Sequence, residues 1–197
     1  GFAVAGLTMV LGAVIGLIAG YYRQADMILM RIMDGFMAIP TLLLAIALMA
    51  ILGASMRNVI ISLLVVMTPQ TVRIVRASVL SLREEVYVEA ARAIGAPDWR
   101  ILAFHVFPGT IASLIIQGTY TCAVAIIIEA SLSFLGAGIP PDVPSWGIIM
   151  AEGKEHVVLA FWIILFPGIA LFLAVLGINL AGDGLRDILD PKLSRRG

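Results

Sequence analysis

Long, uniform apolar runs separated by short polar clusters set the plan of this chain. The runs cover residues 2–22, 35–53, 58–79, 109–129 and 157–180. Each approaches or exceeds the roughly 20 residues that a helix needs to cross a hydrocarbon core about 30 Å thick. They are too long, and too poor in alternation, for membrane barrel strands of about 10 residues. The pattern predicts an all-α, polytopic helical membrane protein with five spans, forming a single transmembrane domain over 1–197. Connections fall at 23–34, 54–57, 80–108 and 130–156, followed by a tail at 181–197. Pro40, Pro69 and Pro167 predict kinks or helix starts, which lipid-buried helices tolerate when neighbours satisfy the freed carbonyls. In the first span Thr8, Gly12, Gly16 and Gly20 recur every fourth residue, a spacing that lets two helix backbones approach closely.

Composition agrees with the pattern. Hydrophobic residues make up 61% and charged residues 13%, against about a quarter charged in soluble domains. The mean hydropathy is +1.05. The net charge of zero gives no reason to expect a nucleic acid partner. The single cysteine, Cys122, lies within an apolar run and has no partner for an internal disulfide. Residue 1 is Gly and no basic segment precedes the first run, so that run does not read as a signal peptide; a further span is expected upstream of it.

The basic residues set an orientation. Arg23, Arg31, Arg73, Arg76, Arg83, Arg92, Arg100, Arg186, Lys192, Arg195 and Arg196 fall on one side of the predicted topology, and only Arg57 and Lys154 on the other. Lys and Arg accumulate in cytoplasmic loops, so loop 80–108 and the C-terminus are expected in the cytoplasm and loop 130–156 outside.

The cores 2–22, 35–53, 58–72, 109–128 and 157–180 contain no Asp, Glu, Lys, Arg or His. Ion-coupled carriers usually keep a titratable group within the membrane. Here the only candidate is Glu129, at a span edge. A membrane enzyme would need a nucleophile with a nearby base, and neither triad nor metal-ligand spacing occurs. A GxxxxGK[ST] phosphate loop is also absent. The polar atoms within the spans are neutral. Thr110, Ser113, Gln117 and Thr121 fall at helical spacing with Tyr120 beside them, and Thr68, Gln70 and Thr71 cluster around Pro69. Two readings stay open for them: hydrogen bonds between helices, or the wall of a wet pathway for a polar solute.

One charged stretch interrupts the apolar sequence, "EAARAIGAPDWR" from Glu89 to Arg100. Ser81 and Glu84 have the form of a capping box. Val86 to Ile94 is a helix by propensity, with Glu89 and Arg92 as i, i+3 neighbours. Gly95 is placed to end it in a left-handed turn. Pro97 suits the first turn of a second short helix, with Asp98 at its positive end. Ala90 and Ala91 give the first helix a small, smooth face, and Pro108 marks the start of the next span. Such an elbow is either a docking element or an interfacial amphipathic helix without a partner.

Glu89-Ala90-Ala91, then Gly95, then Pro108 resemble the EAA loop of permease subunits of ABC importers. The departures are His105 and Phe107, where that pattern has Ile and Leu. "EASLSFLGAGIPPDVPSWGIIMAEG" (129–153) and "INLAGDGLRDILDPKLSRR" (178–196) resemble the C-type subunit of dipeptide and oligopeptide permeases, a group that includes nickel and glutathione permeases. "YVEAARAIGA" and "MRIMDGFMAIPTLLLAIAL" fit the same group. The resemblance implies a type I ABC importer transmembrane fold in a bacterial or archaeal inner membrane. It also implies a coupling helix in which Glu89, Ala90, Ala91, Arg92, Gly95 and Ala96 meet a cytoplasmic ATPase. The implied partners are a homologous B-type permease, two ATPases that hold ATP and Mg, and an extracytoplasmic solute-binding protein. The external loop, with Pro140, Pro141, Pro144 and Trp146, would meet that last protein or roof the pathway. No cofactor, metal or catalytic site is implied in this chain. Dipeptide, oligopeptide, nickel chelate and glutathione all stay open as solute. The alternative, an ion-coupled carrier or channel subunit, would rest on Glu129.

Overall fold

A chain this apolar must satisfy its backbone polar groups internally, and helices do so segment by segment. The computed structural model describes residues 1–189; residues 190–197, including Lys192, Arg195 and Arg196 of the expected basic tail, lie outside the described residues. The order is α1 (Phe2–Tyr21), α2 (Arg23–Met37), α3 (Thr41–Leu52), α4 (Met56–Leu82), α5 (Val86–Ala93) and α6 (Asp98–Ile101). A π-helical turn (Leu102–Val106) then leads into α7 (Phe107–Phe134), α8 (Trp146–Glu152), a 3₁₀ turn (Gly153–His156) and α9 (Trp162–Leu189). Among the described residues there is no β-strand. The segments containing α1, α4, α7 and α9 are each long and apolar enough to cross a membrane.

The second expected span has a different form. Residues 35–53 do not make one helix, and 23–34 is not a loop. Arg23–Met37 is an amphipathic helix that meets the short apolar α3 at an angle of 90°. Ile39 and Pro40 form the corner, and Pro40 immediately precedes α3. The apolar run 35–53 joins the last residues of an amphipathic helix to a 12-residue apolar one. The other prolines fall as expected: Pro69 lies inside α4, Pro167 inside α9, and Pro108 in the first turn of α7.

The glycine row of α1 lies against α4. A Cβ on Gly16 would sit 2.7 Å from Val75 Cβ and 3.0 Å from the Val72 carbonyl, and one on Gly20 would sit 2.6 Å from Val79 Cβ. Gly12 meets Thr71 in the same way. Only glycine permits this approach, so α1 and α4 pack backbone to side chain as one unit. Two apolar clusters lie at opposite ends of the bundle. Val4, Met49, Leu63, Met67 and Leu132 form one; Val75, Val79, Val88, Ile101, Val106 and Leu114 form the other. α2 is fastened to α4 by ion pairs: Asp26 takes both the Nε and Nη2 donors of Arg76, and Asp34 accepts from Arg73 at 2.6 Å.

The segment 130–156 is folded. α7 ends in a left-handed Gly136 (φ +78°), with Ala137 N–H bonding back to the Leu132 carbonyl at 2.8 Å. Ser145 then caps α8 by accepting from Ile148 N–H at 3.2 Å. Gly147 and Gly138 bring this segment's backbone directly onto Ala130 and Ser133 of α7.

Candidate functional site

The charged stretch forms the elbow that its sequence predicted, held by its own backbone. Ala96 N–H bonds to the Ala91 carbonyl at 3.1 Å, and Gly95 N–H to the Arg92 carbonyl at 3.0 Å. These two bonds are the Schellman arrangement, which requires a left-handed residue at the glycine position. Gly95 has φ +78°. Pro97 is extended and Asp98 opens α6.

The cap at the front of α5 differs from expectation. Ser81 and Glu84 make no capping box, because the apolar register of α4 carries that helix through to Leu82. Ser81 is thereby absorbed into its last turn, and Glu84 pairs with Arg83 at 2.9 Å. Arg83 also donates to the Gly20 carbonyl at the end of α1, 3.0 Å away. α5 starts after Glu85 without a side-chain cap.

The elbow has an inner and an outer face. Val88 and Ala91 point into the bundle and pack with Val75, Val79, Ile101 and Val106. Ala96 is half-buried beside them. The outer face carries Glu89, Ala90, Arg92 and Gly95, all exposed. Ala90 and Ala91 therefore do not share a face: Ala91 anchors the helix and Ala90 is displayed. Val86 (78% exposed) and Ile94 (85% exposed) lie one turn either side of Ala90 and complete an exposed apolar ridge. Sequence reasoning missed these two. Their signal was the i, i+4, i+8 spacing of Val86, Ala90 and Ile94 on a short helix.

The expected Glu89–Arg92 pair does not form; Arg92 instead lies over the Tyr21 ring, 5.7 Å from its centroid. Across the elbow, Asp98 accepts hydrogen bonds from Tyr21 Oη at 2.9 Å and Tyr22 Oη at 3.3 Å. After α6, the π-helical turn leaves His105 Nδ1 buried without a hydrogen-bond partner.

The neutral polar residues of the spans separate into two groups. Thr68 and Thr71 are buried, Thr71 against Gly12, and the Thr68 hydroxyl donates to the Leu64 carbonyl at 2.6 Å. Gln117 and Thr121 are buried and bonded to each other at 3.3 Å, while Ser113 meets Ser78 of α4 at 3.3 Å. Gln70 and Tyr120 are exposed on the bundle surface. Most of the stripe thus packs within this chain, and only Gln70 and Tyr120 are displayed outward. In the folded segment after α7, Pro141 and Trp146 are exposed and Pro140 is half-buried. Glu129 accepts from Ser133 Oγ at 2.8 Å. Among the described residues no group of three His, Cys, Asp or Glu side chains is close enough to hold a metal ion.

The described residues thus form a bundle of membrane-length helices with a structured, partly apolar elbow displayed at one end. The chain belongs to the family described as the binding-protein-dependent transport system inner membrane component, whose profile matches residues 12–195. A Brucella abortus protein named as a peptide transport system permease is 52% identical over all 197 residues, which cover 67% of its length. The glutathione transport system permease protein of Pectobacterium atrosepticum is 46% identical over 94% of this chain and 62% of its own. The dipeptide transport system permease protein of Alkalihalophilus pseudofirmus is 45% identical over 98% of this chain and 63% of its own. The chain thus spans about two thirds of the length of these relatives. In structure it is similar to a chain of the MetNI methionine ABC transporter, with a TM-score of 0.68 at 22% identity, covering 95% of this chain and 92% of that one. That likeness establishes the type I ABC importer transmembrane fold. The chain is a transmembrane permease component of an ABC transport system, and nothing supports the ion-coupled carrier or channel.

Proposed function

We propose that this chain forms half of the pathway of an ATP-driven peptide importer and takes its motion from a cytoplasmic ATPase gripping the α5 elbow. The observation that carries this reading is the outer face of α5. A rigid Schellman-capped helix displays Val86, Ala90 and Ile94 to solvent with Glu89 and Arg92 alongside. Exposed apolar rows of this kind on a structured element mark interfaces. The reading carries its partners with it: a homologous permease for the other half, two ATPases that bind ATP and Mg, and an extracytoplasmic binding protein over 130–156. The chain itself then does no catalysis. Loop 80–108 and the C-terminus lie in the cytoplasm of a bacterial or archaeal cell, as the eleven-to-two basic bias indicates. Peptides are the solute class, by analogy with the named relatives, and Gln70 and Tyr120 are the wall residues displayed to the pathway.

The test is reconstitution of this chain with its partner permease, ATPases and binding protein in proteoliposomes. Dipeptide or glutathione uptake that requires ATP and persists when the proton gradient is collapsed is the expected result. Uptake by this chain without an ATPase would overturn the proposal.

A further inference from the structure

The elbow must be fastened to the spans if a pull on it is to move them. A helix lying on a bundle through apolar contacts alone can slide, because such contacts are non-directional. Hydrogen bonds to a carboxylate fix both distance and direction, and they are among the stronger ones.

The structure carries such a fastening. Tyr21 is the last residue of α1, and Tyr22 is the single extended residue (φ −102°, ψ 114°) between α1 and α2. Both hydroxyls donate to one carboxylate, Asp98, 76 and 77 residues away at the start of α6. The two rings meet edge to face, with centroids 5.1 Å apart, so each holds the other's orientation. Arg92 of α5 lies over the Tyr21 ring from the other limb of the elbow. Both limbs are therefore attached at one point, the α1–α2 junction. That junction is itself braced. Arg83 at the end of α4 holds the Gly20 carbonyl, Asp26 and Asp34 of α2 hold Arg76 and Arg73 of α4, and Gly16 and Gly20 lock α1 onto Val75 and Val79.

We propose that Asp98, bracketed by Tyr21 and Tyr22, is a positioning residue that transmits displacement of the α5–α6 elbow to the α1–α2 junction, so that α1, α2 and α4 follow the elbow as one body. This rests on the coupling reading above. Asp98 faces the α1–α2 junction. It acts by making the elbow rigid with respect to the spans, and its loss disconnects hydrolysis from movement without removing the docking face.

The test uses the full reconstituted complex and three variants. Y21F/Y22F removes both donors, and with them the approach of Arg92 to the Tyr21 hydroxyl, while keeping both rings and the stacking of Arg92 over the Tyr21 ring. D98N keeps the shape of the side chain and removes its charge. D98E keeps the charge. The probe is labelled dipeptide, or labelled glutathione if the unaltered complex carries that instead. Both Y21F/Y22F and D98N are expected to retain co-purifying ATPase and ATP hydrolysis. Uptake per ATP hydrolysed should fall about tenfold, the order of one hydrogen bond to a charged group. D98E should recover part of that ratio, which a simple loss of folding would not allow. An unchanged ratio in both Y21F/Y22F and D98N overturns the bracket. G95V is run alongside: if it also transports normally, the coupling reading itself fails, whereas impaired G95V with normal bracket variants removes only the bracket. If Y21F/Y22F does not accumulate, D98N carries the same decision.

Discussion

Gly95 offers a prediction whose magnitude follows from geometry. It sits at φ +78°, and a Cβ built on it meets nothing within 4 Å. A substitution there therefore costs backbone energy alone, with no steric clash in this chain. For an L-residue the left-handed conformation costs roughly 1–2 kcal/mol, with Asn the mildest exception because its side chain bonds locally. A cost of that size lowers the ratio of intact elbow to alternatives by about five- to thirtyfold. A β-branched residue is stiffer still and suffers most. The expected order of transport is Gly95, then Gly95→Asn, then Gly95→Ala, then Gly95→Val. The assay is uptake together with co-purification of the ATPase, at matched amounts of permease in the membrane. The order matters more than any single value. Asn is larger than Ala, so if side-chain bulk against the ATPase governed the effect, Asn would rank below Ala. That inversion, or normal uptake by Gly95→Val, would refute the argument from φ.

Other outcomes are as definite. With Cys122 buried, an Ala93→Cys variant should resist an impermeant thiol reagent in intact cells while Asp142→Cys reacts; the reverse labelling would invert the proposed topology. Gly16→Ala should destabilise the helix pair by about 1–3 kcal/mol, because the added carbon must displace Val75 and the Val72 carbonyl; thermal aggregation of the purified chain in detergent measures it. Thr71→Val should be neutral or stabilising and should leave uptake intact, since the Thr71 hydroxyl is buried without a partner. Loss of uptake in that variant would return Thr71 to the pathway wall.

The helical membrane class and the elbow were legible because each depends on local chemistry. Long apolar runs have few alternatives in lipid, and a glycine between two amphipathic stretches, followed by Pro97 and Asp98, specifies a helix stop and restart within a few residues. What misled was anything decided by tertiary competition. Ser81 and Glu84 form a valid capping signal, but α4 is held by packing through Val79 and runs past it. Glu89 and Arg92 are correctly spaced to pair, but the Tyr21 ring, 71 residues before Arg92, captures the guanidinium. Ala90 and Ala91 differ by about 100° around the helix, enough to bury one and expose the other. The polar stripe on α7 was visible; that its members bond to each other and to Ser78 required knowing which helices meet. The 35–53 run was legible as apolar, but hydropathy averaged across Pro40 does not reveal a right-angle corner.

The corner at Pro40 has a consequence for the surrounding lipid. α3 has 12 residues, so at 1.5 Å each it covers about 18 Å of a hydrocarbon core about 30 Å thick. Beside it, α2 presents outward side chains Met27, Ile28 and Ile32 that are roughly half or more exposed and apolar. Crosswise to α3, such a helix suits the boundary between acyl chains and headgroups. The shortfall grows with every added pair of methylenes in the acyl chains, and a short element answers mismatch by thinning the bilayer around it. The α2 limb of that corner is ion-paired to α4 through Asp26–Arg76 and Asp34–Arg73, so the short element and the helix leading to the elbow face the lipid as one unit.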